Sequence, residues 1–139
     1  GTERVAALRK ELQEEMDRNA QVFRTDESLA KVTQTIHELR ERYKNVAIQD
    51  KGKRFNTDLL EAVELGNLLD LAEVMAVSAL ARKESRGGHY REDFPNRDDV
   101  NFMRHTMAYR EVGADGSETV RLDYKPVVQT RYQPMERKY

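Results

Sequence analysis

The segment from Leu80 to His105 reads LARKESRGGHYREDFPNRDDVNFMRH, and its reading decides the rest of the chain. It opens as the end of an apolar helix and breaks helically at Gly87-Gly88. It then becomes a loop dense in Arg, Asp and His. Arginine carries a rigid donor fork that matches carboxylates, so this density predicts specific ion pairing inside the loop. The residues before this stretch read as a helical support, and those after it as a hairpin and a tail.

Upstream, Val5, Leu8, Leu12 and Met16 recur at helical spacing, which predicts an amphipathic helix from Glu3 to about Gln21. Thr25 or Asp26 suits the N-cap of a second helix running to Lys44, with Leu29, Val32, Ile36, Leu39 and Tyr43 on one face. The short link makes these two helices antiparallel neighbours. After the turn signal Asp50-Lys51-Gly52, Asn56 suits the N-cap of a third helix, expected from Thr57 to about Ser85. Arg82, Lys83 and Arg86 would face the negative end of its dipole, and Gly87 would be its C′ residue. Between Leu68 and Ala81 this helix is apolar around nearly its whole circumference. Such a helix is covered on several sides, by its own domain or by a partner.

Downstream, Met103–Val112 and Thr119–Tyr124 read as two strands joined at Ala114-Asp115-Gly116-Ser117, with alternation in Val120, Leu122 and Tyr124. Pro126 ends the pairing. The expected organisation is mainly α: a three-helix antiparallel bundle over 3–86, a charged loop over 87–102, a β-hairpin over 103–125 and an extended tail over 126–139. The opening Gly1-Thr2-Glu3 lacks Met, and the expectation is of a piece of a longer protein.

Composition removes several function classes. A net charge of −1 argues against a general polyanion binder, so no nucleic-acid partner is expected. Without Cys there is no thiolate nucleophile and no sulfur ligand set. His37, His89 and His105 show no metal-ligand spacing, so no metal is expected. His89 and His105 flank the loop and could meet in space. Gly87-Gly88 follows a helix, whereas phosphate-binding turns precede one. Ser85 lacks a nucleophile-elbow context. The acidic pairs Glu92-Asp93 and Asp98-Asp99 are better explained by pairing with Arg91, Arg97 and Arg104 than by acid–base catalysis. From these residues alone, the class is a helical interaction module with no self-contained active site.

The run Arg82-Lys83-Glu84-Ser85-Arg86-Gly87-Gly88-His89-Tyr90-Arg91-Glu92-Asp93-Phe94-Pro95, followed by Arg97-Asp98-Asp99, resembles the C-terminal helical domain of succinate dehydrogenase and fumarate reductase flavoprotein subunits. The likeness continues through Asn101–Thr106 and Leu122–Val127, and upstream through Phe55–Leu59 and Leu65–Leu69. The Glu-Ser-Arg-Gly-x-His element is also similar to L-aspartate oxidases. The hairpin and Tyr124-Lys125-Pro126-Val127 turn the comparison toward succinate dehydrogenase. The resemblance implies a parent subunit that binds FAD, oxidises succinate to fumarate and passes electrons through an iron–sulfur subunit to quinone. It implies a place on the cytoplasmic face of the inner membrane, with membrane anchor subunits as indirect partners.

No flavin-binding, substrate-binding or proton-transfer position of that family matches a residue here. The expectation is therefore a fragment that binds no cofactor, is inactive alone, and docks on the flavin-binding and capping domains. The docking candidates are Arg82, Glu84, Ser85, Arg86, His89, Arg91, Asp93, Arg104 and His105. The alternatives are the same domain of an L-aspartate oxidase or fumarate reductase, or a free-standing helical interaction module.

Overall fold

A computed structural model describes residues 1–138; the expected tail ends at Tyr139, which lies outside the described residues. Helices α1 (Val5–Asn19), α2 (Asp26–Tyr43) and α3 (Thr57–Ala81) precede strands β1 (Arg104–Val112) and β2 (Glu118–Pro126). The mainly α architecture and the closing hairpin match the patterning.

The predicted stripes form the core. Leu8, Leu29, Val32, Ile36, Leu39, Leu65 and Leu69 are at most 1% exposed, and each contributes about 1.5–3 kcal/mol by leaving water. Thr25 is the N-cap of α2: its Oγ1 accepts the Ser28 amide at 3.1 Å while Ser28 Oγ accepts the Thr25 amide at 3.0 Å. That frees Asp26, the first helical residue, to face elsewhere. Asn56 caps α3 as expected, its Oδ1 accepting the Leu59 amide at 2.9 Å.

Both helix pairs run antiparallel. Glu3, just before α1, bridges Val46, just after α2, and Arg42 near the end of α2 holds Glu3 and Glu11. Tyr43 at the end of α2 donates its hydroxyl to the Ala62 carbonyl in the first turns of α3 at 2.8 Å. A Cβ on Gly66 would lie 2.8 Å from that hydroxyl, so the absent side chain is what lets Tyr43 reach the α3 backbone.

The third helix ends earlier than expected. It stops at Ala81, and Arg82 is already extended, with φ −85° and ψ 92°. Arg82–Arg86 therefore belong to the charged loop rather than to the bundle. Local propensity in Arg-Lys-Glu-Ser favours helix, but burial of Glu84 and pairing in the loop override it. Gly87 is not a C′ residue. It takes φ +59° inside a tight turn in which Arg86 and His89 exchange both backbone hydrogen bonds, at 2.8 and 3.0 Å.

The hairpin pairs Arg104 with Pro126 through to Val112 with Glu118. Its turn closes with the Gly113 amide on the Ser117 carbonyl, and Gly116 supplies the positive φ of 81°. A two-stranded hairpin is marginal by itself, so its attachment to the helices matters. Near α3's end, Arg82 donates to the carbonyls of Phe102 and Arg104 and to Thr106 Oγ1. At the far end, Arg110 and Glu118 join Arg40, Asp70 and the buried Glu73 in one charged cluster.

Candidate docking site

The loop from Arg82 to Met103 is folded over two buried ionic centres. The first is Glu84, which is fully buried. Its Oε1 accepts from Arg82 Nη1 and from Arg86 Nε at 2.8 Å. Its Oε2 accepts from Arg86 Nη2 at 3.0 Å and from the Asp98 amide at 2.8 Å. Burial pushes the carboxyl up, but the bonds from Arg86, the Asp98 amide and Arg82 together outweigh it and hold Glu84 below its ordinary value. Arg86 also reaches Asp99 at 2.7 Å, and both its carboxylate partners raise its affinity for the proton. Arg97 holds the other side of Asp99 and donates to the Met135 carbonyl, tying the tail to the loop.

The second centre is Arg91, also fully buried. Its Nε and Nη2 grip Asp93 two-pronged, both at 2.9 Å, and Nη2 reaches Asp26 at 2.8 Å. Its Nη1 donates to the carbonyls of Ala79 and Leu80 at 3.0 Å. Those carbonyls belong to the last turn of α3, which has no following turn to satisfy them. Arg91 is thus the cation at the negative end of that helix, the role the sequence suggested for Arg82, Lys83 and Arg86. The loop also pairs with the α1–α2 connection, through the Arg24 amide on Tyr90 O and the Glu92 amide on Arg24 O.

Ser85 is structural: its Oγ accepts the Arg91 amide at 2.9 Å and donates to Phe94 O at 2.8 Å. His89 is half-buried between Arg24 Nη1 at 3.0 Å and the Arg82 carbonyl at 2.9 Å. Arginine can only donate, so Nδ1 accepts, and Nε2 carries the proton that the carbonyl receives. Burial first, and the neighbouring arginines, hold this imidazole below its ordinary value against the opposing bond to the Arg82 carbonyl. His105 is exposed on β1, and no hydrogen bond among the described residues joins it to His89. Arg104 makes no ion pair with the acidic residues assigned to it. Its guanidinium stacks 3.7 Å from the Tyr124 ring centre and 5.4 Å from Phe102. Asp98 likewise spends its carboxylate on the amides of Val100 and Asn101.

Asp93, Asp98 and Asp99 are thus tied up in structure, whereas the exposed Glu92 joins the loop only through its backbone amide. No group of three or more His, Cys, Asp or Glu among the described residues could hold a metal ion. Arg24 and Asp26 belong to the loop's bonding, although they lie more than sixty residues earlier. Nothing in local spacing announces such a pairing. Glu73 had a visible signal: with Asp70 it is one of two acids in the apolar stretch from Leu68 to Ala81.

Asp93 ties acid stability to this geometry. The Arg91 fork holds its carboxyl down to about 2, against burial and with help from the Asp26 amide. A carboxyl depressed in the folded state stabilises above its unfolded value, near 4, and that contribution disappears as pH falls toward 2. With partial exposure screening the pair, we expect a loss of about 1–2 kcal/mol across that window. Asp93→Asn should flatten this part of the stability-versus-pH curve, measured by urea unfolding at each pH. An unchanged slope would mean that Asp93 does not carry this acid sensitivity.

Beside this loop, α3 leaves one face bare. Leu60, Val63, Leu71 and Met75 are each more than half exposed, opposite the buried Ala62, Leu65, Leu69, Ala72 and Ala76. No helix among the described residues is long and apolar enough to cross a membrane.

The family model described as "Fumarate reductase flavoprotein C-term" matches residues 9–139. The chain belongs to this family. It is 44% identical to the fumarate reductase flavoprotein subunit of Haemophilus influenzae over its whole length, and covers 22% of that protein. It is 49% identical to the succinate dehydrogenase flavoprotein subunit of Rickettsia bellii, over 91% of this chain and 20% of the relative. A solved E. coli quinol fumarate reductase superposes with a TM-score of 0.90 at 46% identity, covering 98% of this chain and 23% of that one. The Mycobacterium smegmatis Sdh1 complex gives 0.83 at 29%, covering 93% and 22%. The chain therefore spans about a fifth of the length of the curated relatives it matches. The resemblance read from Arg82–Asp99 is correct at the level of this flavoprotein family.

Proposed function

We propose that this chain is the non-catalytic C-terminal docking domain of a succinate dehydrogenase flavoprotein subunit. The observation that carries the reading is the bare apolar face of α3 beside a loop whose charges are locked by internal pairing. Exposed apolar side chains gathered on one helix face, here interrupted by Glu64 and Asn67, mark an interaction surface. The occupant we assign is the flavin-binding and capping part of the same subunit, with the iron–sulfur subunit next to it and membrane anchors reached only through that partner. FAD and the oxidation of succinate belong to that larger part, and the parent complex sits on the cytoplasmic face of the inner membrane. By itself the chain binds no flavin and is inactive.

Leu71→Asp in the complete subunit tests this reading. Leu71 is 63% exposed, so the change should leave the domain's own unfolding within about 0.5 kcal/mol. Burying a carboxylate against a partner should reduce flavin content and complex yield several-fold. Normal flavin absorbance, complex yield and turnover in this variant would refute the docking face. The 139-residue chain alone should show no flavin absorbance after the same purification.

A second reading, the same domain in a fumarate reductase, is favoured by the superposition with the E. coli enzyme. Comparing succinate oxidation with fumarate reduction by the parent complex separates the two.

A further inference from the structure

An open cleft of about 280 Å³ lies where the α1–α2 connection, the last turns of α3 and β1 meet. Its walls combine the aliphatic side chains of Leu29 and Met75 with the polar groups of Arg24, Ser78, His89 and Thr106. Around the loop, Arg82, Arg86, Arg91 and Arg97 each hold a carboxylate. Arg24 does not. Its Nε donates to the Gln21 carbonyl at 2.7 Å and its Nη1 to His89 Nδ1 at 3.0 Å. Its Nη2 has no hydrogen-bond partner, and no acidic side chain pairs with it, among the described residues.

The neighbours sharpen the chemistry. His89 accepts from Arg24, so it fixes the guanidinium plane while adding no charge of its own. Thr106 Oγ1 accepts from Arg82 Nε and Nη2, which leaves its hydroxyl proton free to donate. Ser78 makes no side-chain hydrogen bond among the described residues and also has a donor to offer. Every polar group not already engaged is therefore a donor, one of them a cation without a counter-ion. The remaining wall is aliphatic. Donors converging at one end of a small apolar cleft are the arrangement that recognises an organic anion.

We propose that this cleft binds a carboxylate carried on a short aliphatic body, with Arg24 as its counter-ion and the Ser78 and Thr106 hydroxyls as further donors. The carboxylate has two possible sources. One is a free small organic acid, the other an Asp or Glu side chain presented by polypeptide outside this chain. The site rests on this chain's own residues and shares Met75 with the edge of the α3 docking face.

The test is a titration of the chain with sodium butyrate at constant ionic strength, following the Arg24 Nε–H resonance by NMR. Butanol supplies the aliphatic body without the charge, and inorganic phosphate the charge without the body. Butyrate should give a saturable shift, and butanol none at the same concentration. Arg24→Gln should weaken butyrate binding by about tenfold or more, in keeping with a lost charge-assisted pair. Ser78→Ala has no other bond to lose, and should weaken it several-fold while the hairpin amide spectrum stays in place. No saturable shift, equal binding by Arg24→Gln, or equal binding of butanol would overturn the proposal. Phosphate binding as tightly as butyrate would overturn the aliphatic part of it. The longer polypeptide then identifies the source. An Arg24 resonance already at the bound position and insensitive to butyrate means a protein side chain. A resonance that still titrates means a free acid.

Discussion

Arg91→Ala is expected to cost the chain about 3–5 kcal/mol, the range for breaking a buried ion pair by removing one partner. All of Arg91's donor groups are engaged, by Asp93, by Asp26 and by the α3 carbonyls of Ala79 and Leu80. The two carboxylates lie near the surface, with side-chain exposures of 28% and 61%, so water can recover part of their loss. The helix carbonyls and the cavity left by a fully buried guanidinium recover less. Against a typical domain stability of about 5–15 kcal/mol, such a loss removes a large fraction of the total. Arg91→Lys should recover only a minor part, because one ammonium cannot reproduce a planar fork that meets Asp93 on one side and two carbonyls on another. Urea midpoints of the three proteins decide the matter. A shift below about 1 kcal/mol for Arg91→Ala would mean that the loop is not held from Arg91.

The role of Arg91 is not legible in the sequence, and the reason is physical. Leu29, Val32, Ile36 and Leu39 declare their burial through spacing, because a helix sorts its faces every 3.6 residues regardless of what lies beyond it. The hairpin declares itself through alternation and a glycine turn. A buried arginine declares nothing. In sequence, Arg91 is one cation among several in a charged loop, and Arg104 looks equally able to find a carboxylate. Only the packing decides that Arg91 goes inside to the end of α3 while Arg104 lies over the Tyr124 ring. The early end of α3 has the same cause. Arg82 to Ser85 would accept a helical backbone, but the three donors on Glu84 require an extended one. Family likeness at Arg82–Asp99 was legible because resemblance is read from a contiguous string of residues, yet the string does not say which of its members touch each other.

Glu84→Ala should be as damaging as Arg91→Ala, by the opposite route. Removing the carboxylate leaves Arg82 and Arg86, 15% and 28% exposed at the side chain, facing each other without the anion between them. The Asp98 amide loses its acceptor as well. We expect about 3–5 kcal/mol of destabilisation, since Arg82 loses its carboxylate, Arg86 keeps only Asp99 against the facing cation, and the Asp98 amide loses its acceptor. Glu84→Gln keeps the shape and one acceptor oxygen but returns no charge, so it should recover only a fraction. Arg86→Ala is the informative control: it leaves Glu84 still paired with Arg82 and the Asp98 amide, and should cost clearly less than Glu84→Ala. In the double variant, Arg86→Ala should add little to Glu84→Ala, because the repulsion it relieves offsets the packing it removes. Additive costs in this double-mutant cycle would show that Glu84 and Arg86 do not act as a unit. In the complete subunit the same ordering should appear in flavin retention. The reason is that Glu84 fixes the backbone from Arg82 to Asp98, and the docking proposed above requires that loop to hold its shape.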